Sequence, residues 1–158
     1  MRKRIPKILI TGGAGFIGSA FVRLLIQNQR GRFYFSKKNR TVPVLIDKLT
    51  YAGDLKRLEE VKGKFKFYKT DICSKTGVGS IFQKEQPDIV IHFAAESHVD
   101  RSINDASPFI ETNIKGTQVL LDASRRQRVK KFIFISSDEV YGEIPRGKFT
   151  ENFPIKPS

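Results

Sequence analysis

Residues 7–19 read KILITGGAGFIGS. A short apolar run, Lys7–Thr11, breaks into glycines. Behind them, Ile17, Phe21, Leu24 and Leu25 recur at helical spacing across Phe16–Asn28. Gly13, Gly15 and Gly18 fit G-x-G-x-x-G, and Gly12, Gly15 and Gly18 fit the variant with one more intervening residue. Such a pattern is weak alone, but a strand before it and a helix after it are the setting of a dinucleotide-binding turn. Glycines permit the tight turn and let backbone amides approach a pyrophosphate. The helix N-terminus adds partial positive charge there, and the last glycine lets helix and strand pack closely. The alternative is a plain glycine turn between packed elements.

The pattern continues as alternating strand-like and helix-like segments. Val42–Asp47, Phe65–Asp71, Asp88–Ala95 and Lys131–Ser136 read as strands, and Thr76–Gln86 and Ser107–Gln127 as helices. Pro108 suits a first helical turn. Continuous apolar strands separated by helices predict an α/β fold: a doubly wound parallel sheet with helices on both faces. The composition agrees with a soluble globular chain, at 39% hydrophobic and 28% charged residues. One cysteine, Cys73, excludes a disulfide framework or a cysteine-clustered metal site, and His92 and His98 leave little for a histidine-based one. We expect no metal. No apolar run is long enough to span a membrane, and the apolar stretch after the basic start is too short for a secretory signal. The expected compartment is the cytoplasm.

Asp47 closes the second strand. An acid there accepts hydrogen bonds from adenosine ribose hydroxyls and repels a 2′-phosphate, so NAD is expected over NADP. A strand-end cap is the other reading. The spacing from the glycines exceeds the usual ~20 residues, and the inserted RGRFYFSKKNR segment accounts for the excess. That insertion brings Arg30, Arg32 and Lys37, which tolerate a phosphate. Asp71 ends the third strand, where an acid faces adenine or makes a turn. Asp138 and Glu139 follow the fifth strand, at the carboxyl end of the sheet, where open α/β folds bind ligands. Two environments would let one act as acid and the other as base; a solvated turn pair is the alternative.

TGGAGFIGS, DKLTYAGD (47–54), HFAAESHVDRSI (92–103), TNIKGT (112–117) and ISSDEVYG (135–142) together resemble the extended short-chain dehydrogenase/reductases. Within them the chain is similar to the nucleotide-sugar 4,6-dehydratases of the dTDP-glucose type. The resemblance implies a Rossmann-like fold, tightly bound NAD and a lyase reaction. The sugar is oxidised at carbon four, water is eliminated across carbons five and six, and the hydride returns to carbon six. It implies that Gly12, Gly15 and Gly18 line the pyrophosphate, with Phe16 and Ile17 carrying loop amides. Asp47, Lys48 and Thr50 would surround the ribose, and Asp71 and Ile72 would flank adenine. Ala94 and Ala95 would let the cofactor approach. Asp138 would protonate the leaving hydroxyl, Glu139 would remove the carbon-five proton, and Ser137, where the family commonly has threonine, would hydrogen-bond the hexose. Ser97, His98, Asp100 and Arg101 would lie on a substrate-side loop. His98 is equally readable as a loop histidine with a structural hydrogen bond, and Arg101 could pair with a phosphate or with Asp105. Asn113 and Thr117 would face strand five or the active site. A homodimer is implied for the full-length form.

Two features depart from that frame. The superfamily's Y-x-x-x-K pair should lie on a helix beyond the fifth strand. The only such spacing here is Tyr34–Lys38, in the insertion. The chain therefore reads as residues 1–158 of one incomplete NAD-binding domain, without the last strands and the substrate domain, and as inactive by itself. The second feature is a net charge of +13. It is readable as a solvated surface or as a phosphate-attracting one. An epimerase or decarboxylase of nucleotide sugars, and a non-catalytic basic module that binds nucleic acid or a partner protein, are the competing functions.

Overall fold

The computed structural model describes residues 5–27, 42–144 and 146–157. Arg30, Arg32, Lys37 and the Tyr34–Lys38 pair lie outside the described residues. Five strands form one parallel sheet: β1 (Ile8–Thr11), β2 (Val44–Asp47), β3 (Lys66–Lys69), β4 (Ile89–His92) and β5 (Lys131–Phe134). Their order is β3-β2-β1-β4-β5. The chain winds outward from β1 to β3, then crosses back to place β4 on the other side of β1. The strand order reverses between β1 and β4, and that switch point opens a crevice at the carboxyl ends of the strands.

Alternating side chains feed two cores, as the two-residue period of a strand requires. Leu9, Val44, Ile46 and Val90 meet α2 (Lys75–Glu85) and α5 (Thr117–Arg126) through Val78, Phe82, Val119 and Leu120. Ile8, Ile10, Leu45 and Ile91 meet α1 (Phe16–Gln27) and a 3₁₀ turn, Leu55–Val61, through Val22, Leu58 and Val61. Both faces of the central strands β1, β2 and β4 are therefore covered, as continuous apolar strands demand.

Several boundaries differ from the sequence reading for local reasons. β2 starts at Val44, not Val42, because Pro43 has no N–H to donate; its carbonyl still accepts from Lys66 N at 2.9 Å. The buried stripe of α1 is Gly18, Ser19 and Val22, while Ile17 and Leu24 point outward. The helix is rotated so that Gly18 faces the carbonyl of Gly12. The segment expected as a substrate-side loop contains a short helix, α3 (Val99–Asn104). The long helix after it is divided. Ser107–Phe109 is α4, Ile110–Gly116 winds as a π-helix, and α5 follows. π-Segments cluster at functional sites, and this one runs along the crevice. β5 is an edge strand, with Ile133 and Phe134 exposed.

Candidate functional site

The glycine turn is held by backbone geometry that a side chain would prevent. Gly12 has φ +67°, and a Cβ there would stand 2.6 Å from Ala94 N. The turn is tied down by Gly12 N donating to Ile46 O (2.9 Å) and Gly15 N donating to Gly12 O (3.1 Å). The first helical bond of α1 is Ser19 N to Gly15 O at 3.0 Å. The amides of Phe16 and Ile17 stand ahead of it, in the turn that finds no acceptor within the helix. Their side chains are exposed.

Asp47 joins this turn to the loop after β2. Its carboxylate is buried and accepts from Ala14 N (2.9 Å) and Leu49 N (2.8 Å). The strand-end cap is thus real. It leaves further lone-pair directions, since a carboxylate offers about four. Lys48 pairs with Asp71 at 2.6 Å, and Asp71 also accepts from Cys73 N at 2.9 Å. Burial pushes the Asp71 carboxyl up, but the Lys48 ammonium and the Cys73 amide outweigh it and hold it below the ordinary range.

These groups share a solvent-open cavity of about 430 Å³ at the switch point. Gly12, Gly15, Asp47, Lys48, Thr50, Asp71, Ile72, Ala94 and Ala95 all line its wall. Gly18 is not among the lining residues; it is buried, and a Cβ there would collide with the Gly12 carbonyl. Its role is helix-to-strand packing. The sequence reading missed Cys73, Glu96, Glu111 and Thr112, which also line the cavity. Glu111 and Thr112 reach it because the π-segment lies beside it. Burial drives the Cys73 thiol up to about 11, helped by Asp71, and it donates to Glu111 O at 3.1 Å.

Below the cavity lies a hydrogen-bonded chain that the sequence did not signal. His92, at the end of β4, is 1% exposed. Nδ1 is 2.6 Å from Thr11 Oγ1, and Nε2 is 3.0 Å from Thr117 Oγ1. The Thr117 hydroxyl donates to Asn113 O (2.7 Å), so it can only accept from the ring, and the proton sits on Nε2. Nδ1 then accepts from the Thr11 hydroxyl, which in turn accepts from Ala94 N at 3.3 Å. Both ring nitrogens are satisfied only in the neutral form. Burial lowers the ring to about 4. Asn113 grips the loop after β4 from both sides: Glu96 N donates to its Oδ1, and its Nδ2 donates to Glu96 O, each at 2.9 Å. Asn113 therefore holds the loop after β4, not the backbone of strand five.

The remaining expected residues stand outside the cavity. Ser97, His98, Asp100 and Arg101 are exposed and none lines the cavity, with His98 at the N-cap of α3. Arg101 does not turn to Asp105. Its guanidinium lies 3.7 Å from the centre of the Tyr51 ring, and Asp105 accepts from Ser107 N at 2.9 Å. Tyr51 donates to Glu96 Oε2 at 3.2 Å, which links the loop after β2 to the loop after β4. Asp138 and Glu139 begin a 3₁₀ turn, Asp138–Tyr141, with Ser137 at its N-cap, and all three are exposed beyond β5.

The sequence profile of the GDP-mannose 4,6 dehydratase family matches residues 9–158. The chain belongs to that family. Among its relatives, a dTDP-glucose 4,6-dehydratase of Streptomyces niveus is 45% identical over 154 residues, covering 96% of this chain and 44% of the relative. One from Escherichia coli is 46% identical over 150 residues, covering 88% of this chain and 39% of its own. The crystal structure of DesIV, a dTDP-glucose 4,6-dehydratase of Streptomyces venezuelae with NAD and TYD bound, superposes with a TM-score of 0.85 at 40% identity. It covers 96% of this chain and 45% of DesIV. A UDP-Glc/GlcNAc 4-epimerase of Campylobacter jejuni superposes with a TM-score of 0.83 at 30% identity, covering 97% and 44%. The chain thus spans less than half the length of the dehydratases it matches. This family's Rossmann-like fold accounts for the switch-point cavity and for the glycine turn at its mouth.

Proposed function

We propose that residues 1–158 form one NAD-binding domain of a nucleotide-sugar 4,6-dehydratase of the dTDP-glucose type. The observation that carries this is the joint placement of the glycine turn, Asp47 and the Lys48–Asp71 pair around one cavity. The donor set suits a dinucleotide. Gly15 carries no Cβ, and one placed there would approach only the Gly12 carbonyl, at 3.2 Å, so the wall stays open to a pyrophosphate. The amides of Phe16 and Ile17 and the dipole of α1 favour its charge. Asp47 would accept from the ribose hydroxyls, and Ile72 would flank adenine, with Asp71 held ionised by Lys48.

Bound NAD supplies the hydride acceptor. In our reading Asp138 donates a proton to the departing hydroxyl, Glu139 takes the proton from carbon five, and Ser137 hydrogen-bonds the hexose. Ser97, His98, Asp100 and Arg101 would contact the sugar nucleotide from the segment after β4. The sequence relatives support the dehydratase over the epimerase, since dTDP-glucose 4,6-dehydratases match it at 45% and 46% identity. A cytoplasmic homodimer completes the proposal. Ile103, Ile110, Ile114 and Leu121 lie exposed on α3, the π-segment and α5, where a second copy would cover them.

The test is a thermal-shift titration of the 158-residue chain with NAD and NADP, alongside an assay with dTDP-glucose. NAD at millimolar concentration should raise Tm, NADP should raise it less, and Asp47→Ala should narrow the difference. Sugar turnover should be absent, because the Y-x-x-x-K pair is not at hand. An equal or larger shift with NADP overturns the cofactor assignment; turnover by the purified chain overturns the expectation that these 158 residues are inactive by themselves.

A further inference from the structure

The peptide between Ala14 and Gly15 aims the amides of the glycine turn. Ala14 is fully buried. Its N–H donates to the Asp47 carboxylate (2.9 Å), and its carbonyl accepts from Asp54 N (3.0 Å) and from Arg57 Nη1 (3.1 Å). A trans peptide sets its carbonyl and its N–H on opposite sides. The direction of the Ala14 carbonyl therefore fixes that of the Gly15 N–H, which donates to Gly12 O at 3.1 Å. Gly15 O accepts the first helical bond of α1, so the direction of the free Phe16 and Ile17 amides follows from the same peptide.

Arg57 reaches this peptide from the 3₁₀ turn Leu55–Val61 and is half-buried. The same Nη1 that donates to Ala14 O also donates to Ala52 O at 2.6 Å. Ala52 lines the cavity with Thr50 and Gly53, and Gly15, next to Ala14, lines it too. One planar nitrogen with two hydrogens thus ties the glycine turn to the loop after β2. The side chain starts from a fixed base, because the Arg57 carbonyl accepts from Arg23 Nη1 of α1 at 2.6 Å. Among the described residues Arg57 makes no ion pair with a carboxylate. Both of its acceptors are backbone carbonyls in the two segments that carry this part of the cavity wall.

We propose that Arg57 is a positioning residue of the dinucleotide site, an inference that rests on NAD being the ligand of this cavity. It holds the Ala14–Gly15 peptide and the loop after β2 in the arrangement that meets the pyrophosphate. The experiment is an amide NMR titration of the 158-residue chain with NAD and, separately, with adenosine, which has no phosphate. The parent is compared with Arg57→Met, Arg57→Lys and Lys56→Met, each checked for folding by circular dichroism. Lys56→Met removes the same charge from an exposed side chain of the same 3₁₀ turn and should match the parent. In Arg57→Met without ligand, the amide peaks of Gly15, Phe16 and Ile17 should be displaced, with those of β3 and β5 unmoved. Its Kd for NAD should rise about tenfold, as loss of hydrogen bonds from a charged donor implies, and its Kd for adenosine should stay within about twofold. Arg57→Lys keeps the charge but not the planar donor, so the turn's peaks should stay displaced and the Kd for NAD should rise about threefold. An Arg57→Met Kd equal to the parent's overturns the inference and leaves the dinucleotide reading standing. Equal losses for NAD and adenosine with a lowered Tm mean a structural brace only, and overturn it. Parent affinity in Arg57→Lys means that charge alone acts, and overturns it. Should Arg57→Met not fold, Arg57→Lys decides by the same criterion. A parent chain whose peaks NAD does not move overturns the dinucleotide reading, and this inference with it.

Discussion

Acidification should destabilise this fold through His92 before any carboxylate network fails. The imidazole has an ordinary value of 6.5 and lies at about 4 in the fold, because burial penalises the charged ring. The hydrogen-bond chain gives the same direction. A second ring proton, on Nδ1, would meet the Thr11 hydroxyl, which already has Ala94 N as a donor. Between those two values the unfolded chain takes up a proton and the native chain does not, so stability falls as pH falls. The displacement from 6.5 to about 4 corresponds to about 3 kcal/mol over the full window, of which about 2 kcal/mol is lost between pH 7 and pH 4.5. The assay is urea unfolding at half-unit steps of pH. With a slope of about 2 kcal/mol per molar urea, the midpoint should drop by about 1 M. His92→Gln starts lower at pH 7 but should show a flat midpoint over the same interval. A wild-type midpoint constant within about 0.2 M from pH 7 to pH 5, or an undiminished pH slope in His92→Gln, would refute the assignment of a neutral, doubly bonded ring.

A second acid-labile increment belongs to Glu85: burial pushes its carboxyl up, but Tyr68, Lys66 and Lys7 outweigh this and hold it at about 2. That stabilisation is present above about 4.5 and is lost as pH falls toward 2, so Glu85→Gln should lack the unfolding step that wild type shows in that range. Gly12→Ala must place an L-residue at φ +67° with its Cβ against Ala94 N. The backbone penalty alone is about 1–2 kcal/mol, and calorimetry should show a lowered Tm together with loss of the NAD-induced shift. Cys73, raised from 9.0 to about 11, should react with a maleimide roughly a hundredfold more slowly at neutral pH than an unperturbed thiol. Unfolding in urea should restore the rate, and NAD should slow it further; labelling at the rate of a free thiol would contradict the thiol's burial beside Asp71.

The sheet was legible because β1, β2 and β4 are apolar runs ended by turn signals and separated by helical segments. The glycine turn was legible because its amino acids are needed for steric reasons that leave few substitutes. The parts that escaped lack such local signals. Nothing in IETNIKG distinguishes a π-helix from an α-helix, since the altered winding depends on what the segment packs against. Here Gly116 abuts Ile72, and Asn113 must reach the Glu96 backbone. His92 looked like a core residue at the end of a strand. Its partners are Thr11, 81 positions earlier, and Thr117, 25 positions later, and only the folded sheet brings them together. The outward turn of Ile17 and Leu24 escaped because helical spacing gives a stripe but not its rotation, which the Gly12–Gly18 contact decides.

The proposed chemistry rests on two supports of unequal strength, and this makes the halves separable. The dinucleotide half is built on β1, β2 and β4, whose side chains are buried and whose ends are fixed by Asp47, His92 and Asn113. The acid–base half, Ser137 to Glu139, hangs on the edge strand β5, where Ile133 and Phe134 remain exposed. Neither Asp138 nor Glu139 packs into the core or lines the cavity. Substituting them should therefore leave folding and NAD binding alone, because exposed positions without buried partners typically change stability by less than about 0.5 kcal/mol. Asp138→Asn/Glu139→Gln should keep the Tm and the NAD shift of the parent chain, whereas Asn113→Ala should lose part of both by releasing the Glu96 loop. If the Asp138/Glu139 variant instead loses the NAD shift while its Tm holds, the two carboxylates help hold the dinucleotide, and their assignment to proton transfer alone fails.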